Sequence, residues 1–413
     1  MKTFIGSLLL LLSMICVGQA QKYKGYRSIE EALKSPNAVR KLNISNHQIK
    51  IFPKDIHKLP NLLVLGMSGN KLEILPESIG TIAQLEELWL NHNHLHTLPQ
   101  SVGNLKKLVE LWLNHNHLTS LPKTVGEMSH LEKFYLDHNQ LTSLPKTIGQ
   151  LEHLEILNVS HNDLTKLQKS VTQLGHLKSL YLNKNKLTKL PASIGNLKNL
   201  QHLDVQTNRL EKLPQEIGQL VNLKYLSFDG NHLTELPESM RQLIHLKELH
   251  LSHNKLTFLP ESIGQLATLK DLYLMQNQLT TLPESFQNLK NLKELHLAYN
   301  KFTELPVSVL QLKKLTALVL EGNQLKSLPG SISGLTELES LELANNQLTT
   351  LPASIGQLKN LTTLNLSNNK LKELPKSITE LPNLEYLVLE GNPISKRKLR
   401  RLQKKLPNCT IDF

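Results

Sequence analysis

The sequence predicts an α/β solenoid, a horseshoe of about sixteen repeats with a parallel β-sheet on its concave face. Three observations support this fold class. Asparagine recurs every 23 residues without insertion or deletion, seven positions of each period are apolar, and a segment of alternating apolar residues precedes each asparagine. His47 occupies the same slot one period before the first asparagine. The recurring residues are Asn70, Asn93, Asn116, Asn139, Asn162, Asn185, Asn208, Asn231, Asn254, Asn277, Asn300, Asn323, Asn346, Asn369 and Asn392.

Each part of the repeat has a physical reason. Around Leu88-Trp89-Leu90 the apolar period is two, which predicts a short strand with both leucines inward and Trp89 outward. One repeat cannot bury its apolar face alone, but stacked neighbours cover it. The asparagine amide offers donors and acceptors to backbone groups that would otherwise be unpaired. A Leu-Pro pair such as Leu98-Pro99 predicts an extended turn on the return side.

The repeat that runs from Leu85 to Leu105 follows the pattern L-x-x-L-x-L-x-x-N-x-L and continues with LPxxIGxL-like residues. This pattern resembles the leucine-rich repeat, and the match covers residues 39–394. The resemblance implies the horseshoe fold. The 23-residue repeat is similar to that of exported bacterial leucine-rich repeat proteins and of their Ras-group relatives. Animal extracellular members usually have cysteine-rich caps, which this sequence lacks.

The amino terminus is typical of a secretory signal. Lys2 precedes an apolar stretch from Phe4 to Val17, and Gly18-Gln19-Ala20 offers small residues for cleavage after Ala20. The alternative is an uncleaved anchor, but the apolar stretch is short for a membrane span of about 20 residues. We expect a chain that is secreted, periplasmic or on the cell surface. The expected organisation is a signal peptide at 1–20, a helical cap at 21–38, repeats at 39–394 and a basic cap and tail at 395–413.

Both ends need caps because the terminal repeats would expose their core. At the front, Ser28 and Glu31 form a capping box that predicts a short helix through Leu33. At the back, a helix is expected from Ser395 to Leu406, with leucines along one face. Its apolar residues are Leu399, Leu402 and Leu406.

The charge of the chain is concentrated in this last helix. The formal net charge is +12, and residues 396–405 contain seven basic and no acidic residues. Such a helix can contact an anionic membrane or nucleic acid, but we favour a cap because its leucines are needed to cover the last repeat. Export argues against a nucleic-acid partner.

The chain has two cysteines, too few for a disulfide scaffold or a four-cysteine zinc cluster. Cleavage of the signal leaves Cys409 alone. Residues 409–413 alternate apolar and polar, so we expect a strand-like tail that buries Cys409.

Tyrosine and tryptophan occupy different positions of the repeat from phenylalanine. Phe134, Phe228, Phe286 and Phe302 replace apolar core residues, whereas eight of the ten Tyr and Trp residues fall at concave or rim positions. Tyr and Trp are enriched at protein contact sites, so we interpret this face as a binding surface. The alternative is that cross-strand aromatic pairs only stabilise the sheet. The candidate binding residues are Trp89, Trp112, Tyr135, Tyr181, Tyr225, His250, Tyr273, His296 and Tyr299.

Charged residues form two neighbouring columns on the same face. The lysines are Lys224, Lys247, Lys270 and Lys293, and the acids are Glu248, Asp271 and Glu294. The columns could support a polar partner, but we favour mutual neutralisation in solvent, with each pair contributing about 0–1 kcal/mol.

Histidine also recurs in register. His92, His115, His138 and His161 occupy one slot of four successive repeats. Such a column could bind zinc, but no carboxylate or cysteine accompanies it at a fixed spacing, so we expect no metal site.

No nucleophile-elbow motif, phosphate-binding loop or HExxH motif is present in the sequence. We therefore expect neither catalysis nor a cofactor. The leading hypothesis is an exported, non-enzymatic scaffold, monomeric, that recognises a protein partner through its concave face. The alternative is a protein that binds carbohydrate or cell-envelope glycans, in which the same aromatic rings stack on sugars.

Overall fold

The computed structural model describes residues 24–413, and the signal peptide expected at 1–20 lies outside them. The chain divides into two compact units, one ending at Asp163 and one running from Leu164 to Phe413. In each unit, every repeat contributes a three-residue strand to a parallel sheet and a short 3-10 helix on the return side. The predicted fold class, a repeat solenoid with a parallel sheet, is confirmed. No helix within residues 24–413 is long and apolar enough to cross a membrane.

The first unit contains helix α1 (Ile29–Leu33) and seven strands that pair in parallel in chain order, with Leu88 opposite Leu111 as an example of the 23-residue register. The strands are β1 (Gly25–Tyr26), β2 (Lys41–Asn43), β3 (Val64–Gly66), β4 (Glu87–Trp89), β5 (Glu110–Trp112), β6 (Lys133–Tyr135) and β7 (Ile156–Asn158). The 3-10 helices are Pro36–Ala38, Lys54–Lys58, Glu77–Thr81, Gln100–Asn104, Lys123–Glu127 and Lys146–Gln150.

The second unit continues the same pattern in its own parallel ladder and ends with helix α2 (Lys396–Lys405). Its strands are β8 (Ser179–Tyr181), β9 (His202–Asp204), β10 (Tyr225–Ser227), β11 (Glu248–His250), β12 (Asp271–Tyr273), β13 (Glu294–His296), β14 (Ala317–Val319), β15 (Ser340–Glu342), β16 (Thr363–Asn365), β17 (Tyr386–Val388) and β18 (Thr410–Asp412). The 3-10 helices are Lys169–Gln173, Ala192–Asn196, Gln215–Gln219, Glu238–Gln242, Glu261–Gln265, Glu284–Asn288, Val309–Gln311, Gly330–Gly334, Ala353–Gln357 and Lys376–Glu380.

The core is aliphatic, as the repeat predicts. Leu88 and Leu90 are fully buried on either side of the half-buried Trp89. All four phenylalanines expected in the core are fully buried, which confirms that assignment. The Leu-Pro turn is extended as predicted, since Pro99 has φ −69° and ψ 156° immediately before its 3-10 helix.

The asparagine ladder joins successive repeats through backbone hydrogen bonds. Nδ2 of Asn93 donates to the carbonyl oxygens of Met67 and Leu90, each at 3.0 Å. Its Oδ1 accepts the amide of Leu72, also at 3.0 Å. Asn93 is 3% exposed, so water does not replace these bonds. Each carbonyl oxygen also accepts from the ladder asparagine of a neighbouring repeat, whereas the Leu72 amide has Asn93 as its partner. The predicted role of the asparagine is confirmed.

The amino-terminal cap contains the predicted helix and one strand that was not foreseen. Oγ of Ser28 accepts the amide of Glu31 at 3.1 Å. The Glu31 carboxylate accepts the amide of Arg27 at 3.4 Å, one residue before the position that a reciprocal capping box requires. The unforeseen strand β1 pairs in parallel with β2 and extends the ladder by one strand.

The carboxyl-terminal cap follows the prediction for the helix and the tail. Leu399 and Leu406 are buried and Leu402 is half-buried, so the apolar stripe of α2 is largely covered. The tail forms β18 beside β17, and Cys409 is 4% exposed, with burial raising the pKa of its thiol. Phe413, at the end of the alternating tail, is 52% exposed.

Candidate functional site

In the first unit, the predicted aromatic residues occupy the third position of adjacent strands. Trp112 stacks on Tyr135 with 4.1 Å between ring centroids, and its Nε1 donates to Glu110 at 3.2 Å. Nζ of Lys41 lies 5.4 Å from the centroid of the Trp89 ring, which is within reach of a cation–π contact. The structure therefore brings Trp89, Trp112 and Tyr135 together on one face.

Tyr135 is more buried than is expected for a residue that contacts a binding partner. It is 5% exposed, whereas both tryptophans are half-buried. Because the Tyr135 ring stacks on the Trp112 ring, Tyr135 supports Trp112. The accessible part of this aromatic patch consists of the two tryptophans.

In the second unit, six aromatic rings form a continuous stack across adjacent strands. The centroid distances along the stack are 4.8, 4.1, 5.0, 4.4 and 4.5 Å. All six side chains are half-buried. We call this group the ring ladder; its members in order are Tyr181, His202, Tyr225, His250, Tyr273 and His296.

Of the six rings, His202 alone was missed by sequence reasoning. It lies in the slot that Tyr225 occupies one period later, and its ring is parallel to that of Tyr225 within 1°. Without His202, the ladder would be broken between Tyr181 and Tyr225. A search for aromatic residues at the first strand position, 23 residues before Tyr225, would have found His202.

Tyr299 lies outside the ring ladder. It immediately precedes Asn300, has a φ of 55° and is 43% exposed. Its hydroxyl donates to Oε1 of Glu321 at 2.6 Å, and this hydrogen bond raises the pKa of the phenol. The ring lies against Gly322, where an added Cβ would overlap Cδ1 of Tyr299. Tyr299 therefore lies in the bend that follows β13 and not in the strand itself.

Carboxylates surround His250 in the ring ladder. Its Nδ1 lies 3.6 Å from Asp229 and its Nε2 lies 3.8 Å from Glu248, distances of ion pairs rather than of hydrogen bonds. Burial opposes a charge on His250, but the two carboxylates outweigh it and raise the pKa to about 9. By contrast, burial lowers the pKa of His202 to about 4. At neutral pH the ladder therefore holds a charged and an uncharged histidine.

Two aspartates beside the ladder have raised pKa values. Burial raises the pKa of Asp204 to about 6. Burial, followed by the charges of Glu294 and Glu248, raises the pKa of Asp271 to about 6. Glu294 also accepts the hydroxyl of Tyr273 at 3.0 Å. The carboxylates on this face thus repel one another and are partly shielded from water.

The two charged columns interact without direct ion pairs: burial and the neighbouring carboxylates raise the pKa of Asp271, and the charge of Lys270 lowers it by less. Lys224, Lys247, Lys270 and Lys293 are exposed, and no ion pair within 4.0 Å joins them to the acidic column in the part of the chain that the structure describes. Instead, Glu248 contacts His250 and Glu294 contacts His296. The carboxylates lie beside the rings because both occupy the strands, whereas the lysines precede the strands.

The histidine column is a close stack, and one carboxylate, that of Asp137, lies beside it. Ring centroids are 4.2 Å apart between His92 and His115, 4.0 Å between His115 and His138, and 3.8 Å between His138 and His161. Oδ2 of Asp137 lies 3.0 Å from Nδ1 of His138. Burial, followed by the neighbouring histidines, lowers the pKa of His115.

Comparisons with known proteins agree with the repeat geometry. A family model described as a leucine-rich repeat region matches residues 31–135, 118–206, 169–232, 215–298 and 261–348, and a leucine rich repeat model matches residues 336–394. No curated protein matches the chain.

Several solved structures are similar to the chain. A leucine-rich repeat protein of Leptospira interrogans is 40% identical with a TM-score of 0.78, and the match covers 94% of this chain and all of that one. The plant peptide hormone receptor RGFR1 in complex with RGF2 is 32% identical, with 81% and 60% covered and a TM-score of 0.67. The functional domain of InlJ from Listeria monocytogenes is 25% identical, with 84% and 73% covered and a TM-score of 0.68. The chain belongs to the leucine-rich repeat family.

Proposed function

We propose that the chain is a non-enzymatic scaffold that binds a protein partner through the outward face of its parallel sheet. The ring ladder of the second unit is the observation that carries the proposal. Six adjacent aromatic rings with polar edges are a surface suited to binding hot spots, which are enriched in Tyr and Trp. The similar plant receptor was solved in complex with RGF2, which supports a polypeptide as the class of ligand.

The orientation of the rings favours a polypeptide over a sugar. His202 and Tyr225 stack face to face at 4.1 Å, and His250 and Tyr273 stack at 4.4 Å. Stacking on a sugar needs an open ring face, and the neighbours in the ladder occupy these faces. Ring edges, hydroxyl groups and imidazole nitrogens remain for hydrogen bonds with a peptide backbone and polar side chains.

The carboxylates beside the ladder suggest one feature of the partner. Glu248 and Glu294 raise the pKa of Asp271 by their negative charge. A cationic side chain placed among these three carboxylates would relieve their repulsion. We therefore propose that the partner places a lysine or arginine at Asp271.

Peptides selected from a random library against the whole chain test this proposal. We expect Tyr225→Ala and Tyr273→Ala each to weaken binding of the selected peptides about 30-fold, the effect of a hot spot of about 2 kcal/mol. Trp89→Ala combined with Trp112→Ala tests the patch of the first unit in the same way. Affinities are measured by titration calorimetry, and circular dichroism confirms that each variant folds.

Tyr386→Ala is the matched control. Tyr386 holds the same strand position as Tyr225 but is 53% exposed, and it is not part of the ring ladder. We expect its replacement to change affinity less than about twofold, as for a residue outside a hot spot. Unchanged binding by both the tyrosine and the tryptophan variants would contradict the proposal, as would binding to a glycan array without binding to any peptide.

We further propose that the chain is exported and acts outside the cytoplasm. Support comes from the charged, apolar and small-residue regions at positions 1–20. Sequencing the amino terminus of the exported protein tests this proposal. We expect the mature chain to begin at Gln21, whereas recovery of a chain that retains Met1 would contradict cleavage.

A further inference from the structure

We propose that His115, Asp137 and His138 form a binding site for a divalent transition-metal ion, with Zn²⁺ as the ion that best suits the ligands. Each side chain offers one ligand atom, and these atoms lie within 4.8 Å of one another. Imidazole nitrogen and carboxylate oxygen are both common zinc ligands. Within residues 24–413, this is the group of His, Cys, Asp and Glu side chains that meets this geometry.

The repeat positions the two imidazoles. His115 and His138 each lie immediately before a ladder asparagine and each has a φ of 55°, so their backbones are equivalent. The 23-residue register then places their rings in a stack with 4.0 Å between centroids. His92 and His161 extend the stack on either side, at 4.2 and 3.8 Å.

A hydrogen bond from the sheet holds the carboxylate. Nδ2 of Asn158 donates to Oδ1 of Asp137 at 2.9 Å, which leaves Oδ2 directed at Nδ1 of His138. Outer hydrogen bonds of this kind orient metal ligands. The side chain of Asp137 is only 14% exposed, so its position is constrained by packing.

One distance within the group is close to that of a zinc centre. With zinc–ligand bonds of about 2.0–2.1 Å, neighbouring ligand atoms of a tetrahedral site lie about 3.3 Å apart. Oδ2 of Asp137 and Nδ1 of His138 are 3.0 Å apart. The other ligand atoms lie within 4.8 Å, so the stacked imidazoles must draw together on binding, and the His138 side chain, 39% exposed, has room to turn. Three protein ligands leave a fourth position for water or for a partner's side chain.

Metal titration of the whole chain, purified without a histidine tag, tests the site. We expect Zn²⁺ to bind with a stoichiometry of one by calorimetry, and Co²⁺ to give the visible absorption of a tetrahedral complex. Mg²⁺ should not compete, because it prefers oxygen ligands in octahedral geometry. His115→Ala and His138→Ala should each weaken Zn²⁺ binding at least about 100-fold and Asp137→Asn at least about 10-fold, because losing a ligand costs no less than losing an outer hydrogen bond to one, about 10–100-fold.

His117→Ala is the matched control. His117 stacks on His94 at 5.5 Å in the same unit, but neither belongs to the group that contains Asp137. We expect His117→Ala to bind Zn²⁺ like the wild type, which would separate a built site from surface imidazoles in general. Absence of Zn²⁺ binding by the wild type, equal binding by the His138→Ala variant, or equal loss in the His117→Ala variant would each overturn the proposal.

Discussion

Replacing Asn231 with leucine is expected to lower the free energy of unfolding by roughly 2–4 kcal/mol. The buried amide of Leu210 loses its partner at about 1–3 kcal/mol, and two carbonyl oxygens each lose one of the two asparagine donors that they have. Nδ2 of Asn231 donates to the carbonyl oxygens of Val205 and Phe228 at 3.0 Å, and Oδ1 accepts the amide of Leu210 at 3.0 Å. Asn231 is 3% exposed, so water cannot replace these bonds. Leucine branches at Cγ as asparagine does, but it is bulkier and has no polar atoms, so the substitution removes the hydrogen bonds and adds volume.

Urea unfolding and hydrogen exchange measure this effect. Each repeat contacts only its neighbours, so amide protection should be lost around residues 205–233 first. Asn222→Leu is the control, since Asn222 is exposed and makes a single hydrogen bond, to the carbonyl oxygen of Lys198 at 2.8 Å. We expect that variant to lose less than about 1 kcal/mol, as for most surface substitutions. Equal losses in the two variants would contradict the proposed role of the ladder asparagine.

Replacing His250 with glutamine is expected to remove a pH-dependent part of the stability. The carboxylates of Asp229 and Glu248 overcome the effect of burial and raise the pKa of His250 from 6.5 to about 9. A raised histidine pKa stabilises the folded chain fully below pH 6.5, and this contribution is lost as pH rises through about 9. The shift corresponds to roughly 3 kcal/mol, at 1.36 kcal/mol for each unit of pKa.

Urea unfolding of both proteins from pH 6 to pH 10 checks this prediction. The wild type should exceed His250→Gln in stability by a margin that shrinks by roughly 3 kcal/mol across this range. Groups remote from His250 titrate alike in both proteins, so their effects cancel in the difference. Asp204 and Asp271, whose pKa values His250 lowers, have pKa values of about 6 and therefore titrate mainly at the acid end of the range. His245→Gln, at an exposed position of the same repeat, should show a constant margin. A margin for His250→Gln that does not change with pH would show that the carboxylates do not hold a proton on this histidine.

The repeat made most of the fold predictable. The strand positions, the buried asparagines, the proline turns and the core phenylalanines follow from periodicity, because each slot has the same neighbours in every repeat. The two terminal helices were also predictable, since their capping and apolar patterns are local. Strand β1 was missed because two residues are too short for a recognisable alternation.

The candidate sites were less predictable because they depend on distances between side chains. The sequence placed Tyr135 on the predicted binding face, but only the structure shows that it is 5% exposed. His202 belongs to the ring ladder because its ring bridges Tyr181 and Tyr225. No single slot of the repeat contains all six rings, so inspection of one slot does not reveal the ladder.

The sequence by itself determined the repeat, its register and the face on which Tyr and Trp collect, because burial and backbone hydrogen bonding impose the same residue types every 23 positions. Only the tertiary structure decided which side chains meet across the strands. It paired Asp137 with His138 and turned Glu248 and Glu294 toward histidines instead of lysines. The physical reason is that outward positions are not constrained by the core, so their contacts depend on side-chain length, rotation and charge.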